Sequence, residues 1–275
     1  MLKVLTMLIN NSRLFSDFFT KADKQRVIKH IVLHHIGGYD HLFKKNITNL
    51  EQAVQALCRY QVSAHYIIDV SGQIWQLVKE ADIAYHAGHS YWRGQEGLNS
   101  SAIGIEFINI DPFNKQFTKA QIKAGISLCQ ELIKRYNIKA YNIVGHSDIA
   151  YFNDNEENRK SQRVNHLNRK DDPSHLFAWQ LLAENNVGIW PQISQSLKNS
   201  QQILLKLGDN KPQVKELKER LNNFGYKIAN FDNVFDKQLN SVITVFKRRF
   251  AVEAFLKEDN SWTVELEAKL LALLE

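Results

Sequence analysis

The chain has 275 residues, 44% apolar and 23% charged, which suits a globular protein of one large domain or a medium one with a small companion. Its 35 Lys and Arg against 29 Asp and Glu leave a formal net charge of +6, but the basic residues are spread along the chain, which argues against a nucleic-acid binder. Cys58 and Cys129 each fall on the apolar face of a predicted helix, so no disulfide scaffold is implied; they read as buried free thiols and form no zinc-type pair.

The N-terminal "MLKVLTMLINNSRLF" has one Lys and an apolar stretch too short for a signal peptide, with no small-residue cleavage site after it. No run is long enough to span a bilayer. The expectation is a cytoplasmic protein without a transmembrane segment, the periplasm or cell wall being the alternative.

"IVLH" (31–34) reads as a central strand ending in His34, closed by Gly37 and Gly38. "TNLEQAVQAL" (48–57) opens with Thr48 and Glu51 as a capping box, and Leu50, Val54, Leu57 and Cys58 share one helical face. "HYIIDVSGQIWQLV" (65–78) gives two strands around a Ser71-Gly72 turn. "AIGIEFI" (102–108) is a strand interrupted only by Glu106. Thr118 and Gln121 cap a second helix with a stripe of Ile122, Ile126, Cys129, Ile133 and Tyr136, and the strand "YNIV" then delivers His146. Strands alternating with amphipathic helices predict an α/β domain whose mixed central sheet is flanked by helices.

Residues 151–168 are polar throughout and predict a long surface loop, either a tolerated insertion or a lid beside the site. The stretch 191–203 reads as a linker between a domain over 1–190 and a small one over 204–275. In the latter, Val214, Leu217, Leu221 and Phe224, then Leu239, Val242, Ile243, Phe246 and Phe250, then Leu266, Leu270, Leu271 and Leu274, predict three short helices around one small core. "FKRRF" (246–250) reads as a solvated helix face.

Three polar residues stand where strands should be apolar: His34, Glu106 and His146. A buried charge is costly unless paired or metal-bound, and two imidazoles with a carboxylate suit zinc. Taken alone, His146 is open to a core role, a catalytic base or a ligand, the core role being the commoner one. His35 points to the face opposite His34. His30, His41, His89, His166 and His175 lie in polar or loop contexts and need no function.

The ordered segments "IVLHHIGG", "SAHYIIDVSGQIWQLV", "AYHAGHSYWRG", "LNSSAIGIEFIN", "IVGHSDIA" and "RKDDPSHLFAW" resemble the zinc-dependent N-acetylmuramoyl-L-alanine amidases, a group related to peptidoglycan recognition proteins, over roughly residues 25–182. "QVKELKERLNNFGY" and "FDKQLNSVITVFKRRF" resemble, more weakly, the three-helix peptidoglycan-binding domain often fused to them. The resemblance implies one zinc ion per chain on His34, His146 and Asp172, with Glu106 and Lys170 catalytic. It implies that His86, Trp92 and Arg93 line the substrate groove. The substrate would be the amide between N-acetylmuramic acid, or its 1,6-anhydro form, and L-alanine, in peptidoglycan or muropeptides. Two departures stand out: Ile36 replaces a small polar residue, and 151–168 separates His146 from Asp172, which leaves Asp148 as a rival ligand. Relatives that have lost a ligand bind wall fragments without cutting them, and such a recognition protein is the alternative function.

Overall fold

The computed structural model describes residues 9–10, 17–40, 44–150, 170–198 and 200–275. The 151–168 segment, His41 and His166 lie outside the described residues. Contacts divide the chain into two compact units: Met1–Gly88 with Gly97–His146 and Asp172–Ile189, and His89–Glu96 with Ser147–Asp171 and Trp190–Glu275. One cut falls between Ile189 and Trp190, beside the linker expected over 191–203, and the others assign His89–Glu96 and Ser147–Asp171 to the second unit.

The first unit is built on a mixed six-stranded sheet. Its strands are β1 (Ile9–Asn10), β2 (His30–Ile36), β3 (Tyr66–Ile68), β4 (Ile74–Gln76), β5 (Ala102–Ile108) and β6 (Ile143–Gly145), ordered β1-β4-β3-β5-β2-β6. Only β3 and β4, joined by the Ser71-Gly72 turn, are antiparallel; the other neighbours are parallel. All seven residues of β5 are buried, which is why it reads as an apolar run and why Glu106 stands out in it.

Helices cover both faces. Helix α1 (Leu50–Arg59) packs Ala53, Ala56 and Leu57 with Ile67 and Ile108. Its N-cap is Asn49, one residue beyond Thr48: the Asn49 side chain accepts from the Gln52 N–H at 3.0 Å, while Thr48 donates to the Gln52 side chain. Helix α2 (Lys119–Tyr136) has the expected Thr118/Gln121 capping box. Its buried face is Ile122, Gly125, Leu128, Cys129 and Leu132, with Ile126, Ile133 and Tyr136 at the margin. Gly125 sits in that face because a Cβ there would lie 2.6 Å from the Phe107 ring. Residues 107 and 108 alternate across β5, so α2 covers the Phe107 face and α1 the face that carries Glu106 and Ile108. Cys129 is buried as expected, whereas Cys58 is half-buried. His30, expected in a polar context, is instead a buried strand residue whose ring meets the Ser101 hydroxyl at 3.1 Å.

After β6 the chain turns into the one-turn helix α3 (His146–Ile149), and later into α4 (Trp179–Glu184). In the second unit come α5 (Pro212–Phe224), α6 (Lys237–Phe250), α7 (Val252–Leu256) and α8 (Val264–Leu274), and Ile203–Lys206 pairs antiparallel with Ser261–Thr263. The α5 and α6 stripes are buried as the periodicity indicates, apart from half-buried Val242. Of the stripe expected on α8, Leu266 and Leu270 go inside, whereas Leu271 and Leu274 are 46% and 38% exposed, because the C-terminal turn extends past the core. No helix among the described residues is long and apolar enough to cross a membrane.

The 246–250 segment departs from its expected solvated face. Lys247, Arg248 and Arg249 are only 3%, 6% and 3% exposed. Their cations are met by polar groups of other segments of the same unit: Lys247 Nζ lies 2.6 Å from Asp259 Oδ1, Arg248 donates to the Lys170 carbonyl at 3.3 Å, and Arg249 Nη1 lies 2.5 Å from Asp148 Oδ2. Periodicity shows which residues a helix turns away from its own core stripe, but not whether other chain covers them.

Removing one partner of a buried ion pair strands the other charge. Arg249→Met should therefore lower unfolding stability by about 3–5 kcal/mol, and Asp148→Asn in that background should restore part of it. Denaturant melts of the two single variants and the double variant check this, and additive losses would show the two groups uncoupled.

Candidate metal centre

The site grows from the C-terminal ends of two parallel neighbours in the sheet. His34 lies near the end of β2, and His146 follows the last residue of β6 as the chain turns into α3. Ligands of parallel sheets gather at these carboxyl ends. Asp172 reaches the same point from a distant part of the chain, 138 residues on from His34. The three are 2%, 4% and 8% exposed.

Their donor atoms converge. His34 Nδ1 lies 3.1 Å from His146 Nδ1 and 3.0 Å from Asp172 Oδ2, and His146 Nδ1 lies 3.3 Å from the same oxygen. Among the described residues this is the trio of His, Cys, Asp or Glu side chains placed to hold a metal ion. The other ring nitrogens show what these atoms offer. His146 Nε2 faces the Ala87 carbonyl oxygen at 3.2 Å, an acceptor only, so Nε2 carries the proton and Nδ1 of the neutral ring presents a lone pair. His34 Nε2 faces His86 Nδ1 at 3.2 Å. With Nε2 as donor in both rings, two nitrogen lone pairs and a carboxylate oxygen point at one another and repel unless a cation sits among them. Donors bonded at about 2.0–2.1 Å around tetrahedral zinc are roughly 3.3 Å apart, close to the spacing seen here. The residues present fit zinc.

With protons in place of a cation, burial opposes ionisation of Asp172, but the charge and hydrogen bonds of the His146 and His34 rings outweigh it and hold the carboxyl well below the usual range. Burial first, then the neighbouring imidazoles, pushes His86 well below its ordinary value, so its ring is neutral.

Glu106 is the register partner of His34 across β5 and β2, so both side chains leave the sheet on the same face, and Glu106 is 7% exposed. His35 takes the other face, its ring edge-on to Phe113 at 5.7 Å between centroids. Lys170, half-buried, stands two residues before Asp172 and belongs to the second unit. Trp92 and Arg93 belong there as well. Trp92 is fully buried, with its ring 5.6 Å from Phe224 and 5.4 Å from Tyr226, and Arg93 donates to the Phe224 and Gly225 carbonyls at 2.6 and 3.0 Å. Asp148, the rival ligand, is held by Arg249 instead. Sequence reasoning missed Ala87, whose contribution is a backbone oxygen with no side-chain signature.

Purified protein should bind about one zinc per chain, released by a chelator, and His34→Ala, His146→Ala and Asp172→Ala should each reduce the bound metal to near zero. Metal analysis after gel filtration checks it. An Asp172→Ala chain that keeps its zinc would remove that residue from the site.

The family described as N-acetylmuramoyl-L-alanine amidase matches residues 24–175, and that of the peptidoglycan binding domain matches residues 210–254. N-acetylmuramoyl-L-alanine amidase AmiD of Escherichia coli is 30% identical over 262 residues, which span 89% of this chain and 82% of AmiD. The 1,6-anhydro-N-acetylmuramyl-L-alanine amidase AmpD of Haemophilus influenzae is 32% identical over 177 residues, 60% of this chain and 86% of AmpD. The solved structure of Escherichia coli AmiD, in complex with the substrate anhydro-N-acetylmuramic acid-L-Ala-D-gamma-Glu-L-Lys, superposes with a TM-score of 0.67 at 29% identity, covering 92% of this chain and 90% of that one. A match across more than half of the chain, carried by residues that converge on one buried point, places this protein in the N-acetylmuramoyl-L-alanine amidase family.

Proposed function

We propose that the chain hydrolyses the amide between the lactyl group of N-acetylmuramic acid, or its 1,6-anhydro form, and L-alanine, with zinc held by His34, His146 and Asp172. The convergence of three buried donor atoms within 3.3 Å carries this reading. Zinc bound there supplies a water with its pKa lowered to about 7 and a Lewis acid for the scissile carbonyl. The Glu106 carboxylate, on the same sheet face as His34, takes the proton of the attacking water and passes it to the leaving amine nitrogen. The Lys170 ammonium stabilises the carbonyl oxygen as it gains negative charge, a contribution of about 3–4 kcal/mol for oxyanion stabilisers of this kind. Retention of all three donors favours catalysis over recognition alone.

Residues 1–190 carry this chemistry in our reading, and 204–275, where the peptidoglycan-binding-domain match falls, hold polymer. The 1,6-anhydro fragment is included because AmiD was solved with such a substrate. Action on free fragments suits the cytoplasm and action on polymer suits the wall. Digesting intact sacculi and anhydro-muropeptides side by side, with mass spectrometry of the products, tests the reaction and the substrate preference together. Peptides beginning with L-alanine are the expected product, and their absence from both digests would overturn the reading.

Glu106→Gln separates base from ligand. It should keep its zinc and lose about 10²–10⁴-fold in turnover. An unchanged rate would take Glu106 out of the mechanism.

A further inference from the structure

The sequence resemblance puts His86 in the substrate groove, but its surroundings do not suit that task. The side chain is buried, 7% exposed, and its ring lies flat against the backbone of β5: a Cβ on Gly104 would fall 2.4–2.7 Å from three of the ring atoms. Its Nδ1 meets His34 Nε2 at 3.2 Å. Its Nε2 is buried and has no hydrogen-bond partner among the described residues. A buried ring nitrogen left without a partner is costly, so an apolar side chain would suit stability better at this position. What the imidazole supplies there is the Nδ1 acceptor.

The next residue does the same for the second imidazole. The Ala87 carbonyl accepts from His146 Nε2 at 3.2 Å. Both backbone N–H groups of this dipeptide donate to one acceptor, Asn99 Oδ1, at 3.0 Å from His86 and 2.7 Å from Ala87. Asn99 is itself held, since its carbonyl accepts from Arg26 Nη2 at 3.2 Å, and the same guanidinium nitrogen donates to the Ala102 carbonyl at 2.5 Å. All of these residues belong to the first unit.

We propose that His86 and Ala87, clamped by Asn99, are positioning residues for the metal: they accept the outer N–H of His34 and of His146 and so hold both imidazoles as Nδ1 donors. A metal-bound imidazole needs its other N–H satisfied, which fixes tautomer and ring plane and makes the bound nitrogen more basic. Here a single dipeptide does this for both rings, with Gly104 providing the space and Asn99 the anchor. The proposal rests on the zinc reading of the trio and adds to it that loss of the outer acceptors weakens the metal without touching a ligand.

The test is zinc affinity of the full chain, measured by competition with a chromophoric chelator, together with the absorption spectrum of the cobalt-substituted protein. His86→Leu should bind zinc about 10–100-fold more weakly, with its thermal midpoint kept. His86→Asn, whose side-chain oxygen can take the place of Nδ1, should recover part of that loss. Asn99→Ala should weaken zinc and shift the cobalt spectrum, while Asn99→Asp, which keeps the acceptor, should do so less. If His86→Leu unfolds, the Asn99 pair decides in its place. Parent-like zinc affinity in both His86→Leu and Asn99→Ala would overturn the proposal, as would a raised KM with unchanged zinc affinity and spectrum, the outcome for a groove residue. Failure of the zinc reading itself is distinguishable, because His34→Ala would then bind zinc as the parent does.

Discussion

Two imidazole lone pairs and a carboxylate oxygen held 3.0–3.3 Å apart in a buried place repel one another, and much of the first unit is arranged to keep them there. Each is delivered by a different device. His34 rides on a buried strand, His146 follows the last residue of the neighbouring strand, and Asp172 comes from more than a hundred residues beyond His34. Keeping three acceptors together without a cation costs energy, because each would rather face water or a donor. A divalent ion placed among them would turn that cost into binding energy, which would link metal affinity to stability of the first unit.

The sheet explains why Glu106 belongs to the same constellation. β5 and β2 run parallel in direct register, which pairs Glu106 with His34 and sends both side chains to one face. A slip of one residue would put Glu106 on the α2 side, among Phe107 and its neighbours. The same register places Gly104 under the His86 ring, so one buried strand supplies a carboxylate and a flat shelf two residues apart.

In the second unit, charge is buried because other chain closes over it. Helix α6 is wrapped on several sides, and the three consecutive cations Lys247, Arg248 and Arg249 end within a few per cent of full burial, each meeting an oxygen. Desolvation makes such pairs weak evidence for net stability, but it makes their loss severe. The Asp148 carboxylate and the Lys170 carbonyl make their contacts with Arg249 and Arg248 within this unit.

Local pattern determined a large part of this protein by itself. The apolar runs of β2 and β5 marked buried strands, and the polar residues inside or after such runs marked His34, Glu106 and His146, since a charge in a buried strand needs a reason. The Thr118/Gln121 capping box and the stripes of α5 and α6 came from spacing alone. Features that depend on distant chain were not legible. The shift of the α1 cap to Asn49 depended on which side chain reached the free N–H groups, and the burial of 247–249 depended on chain far away in sequence. Ala87 acts through a carbonyl that every residue possesses, and the setting of His86 comes from a ring packed on a glycine of another strand. Periodicity encodes which face of an element is apolar; only the tertiary structure decides what covers the other face and which backbone atom meets a given nitrogen.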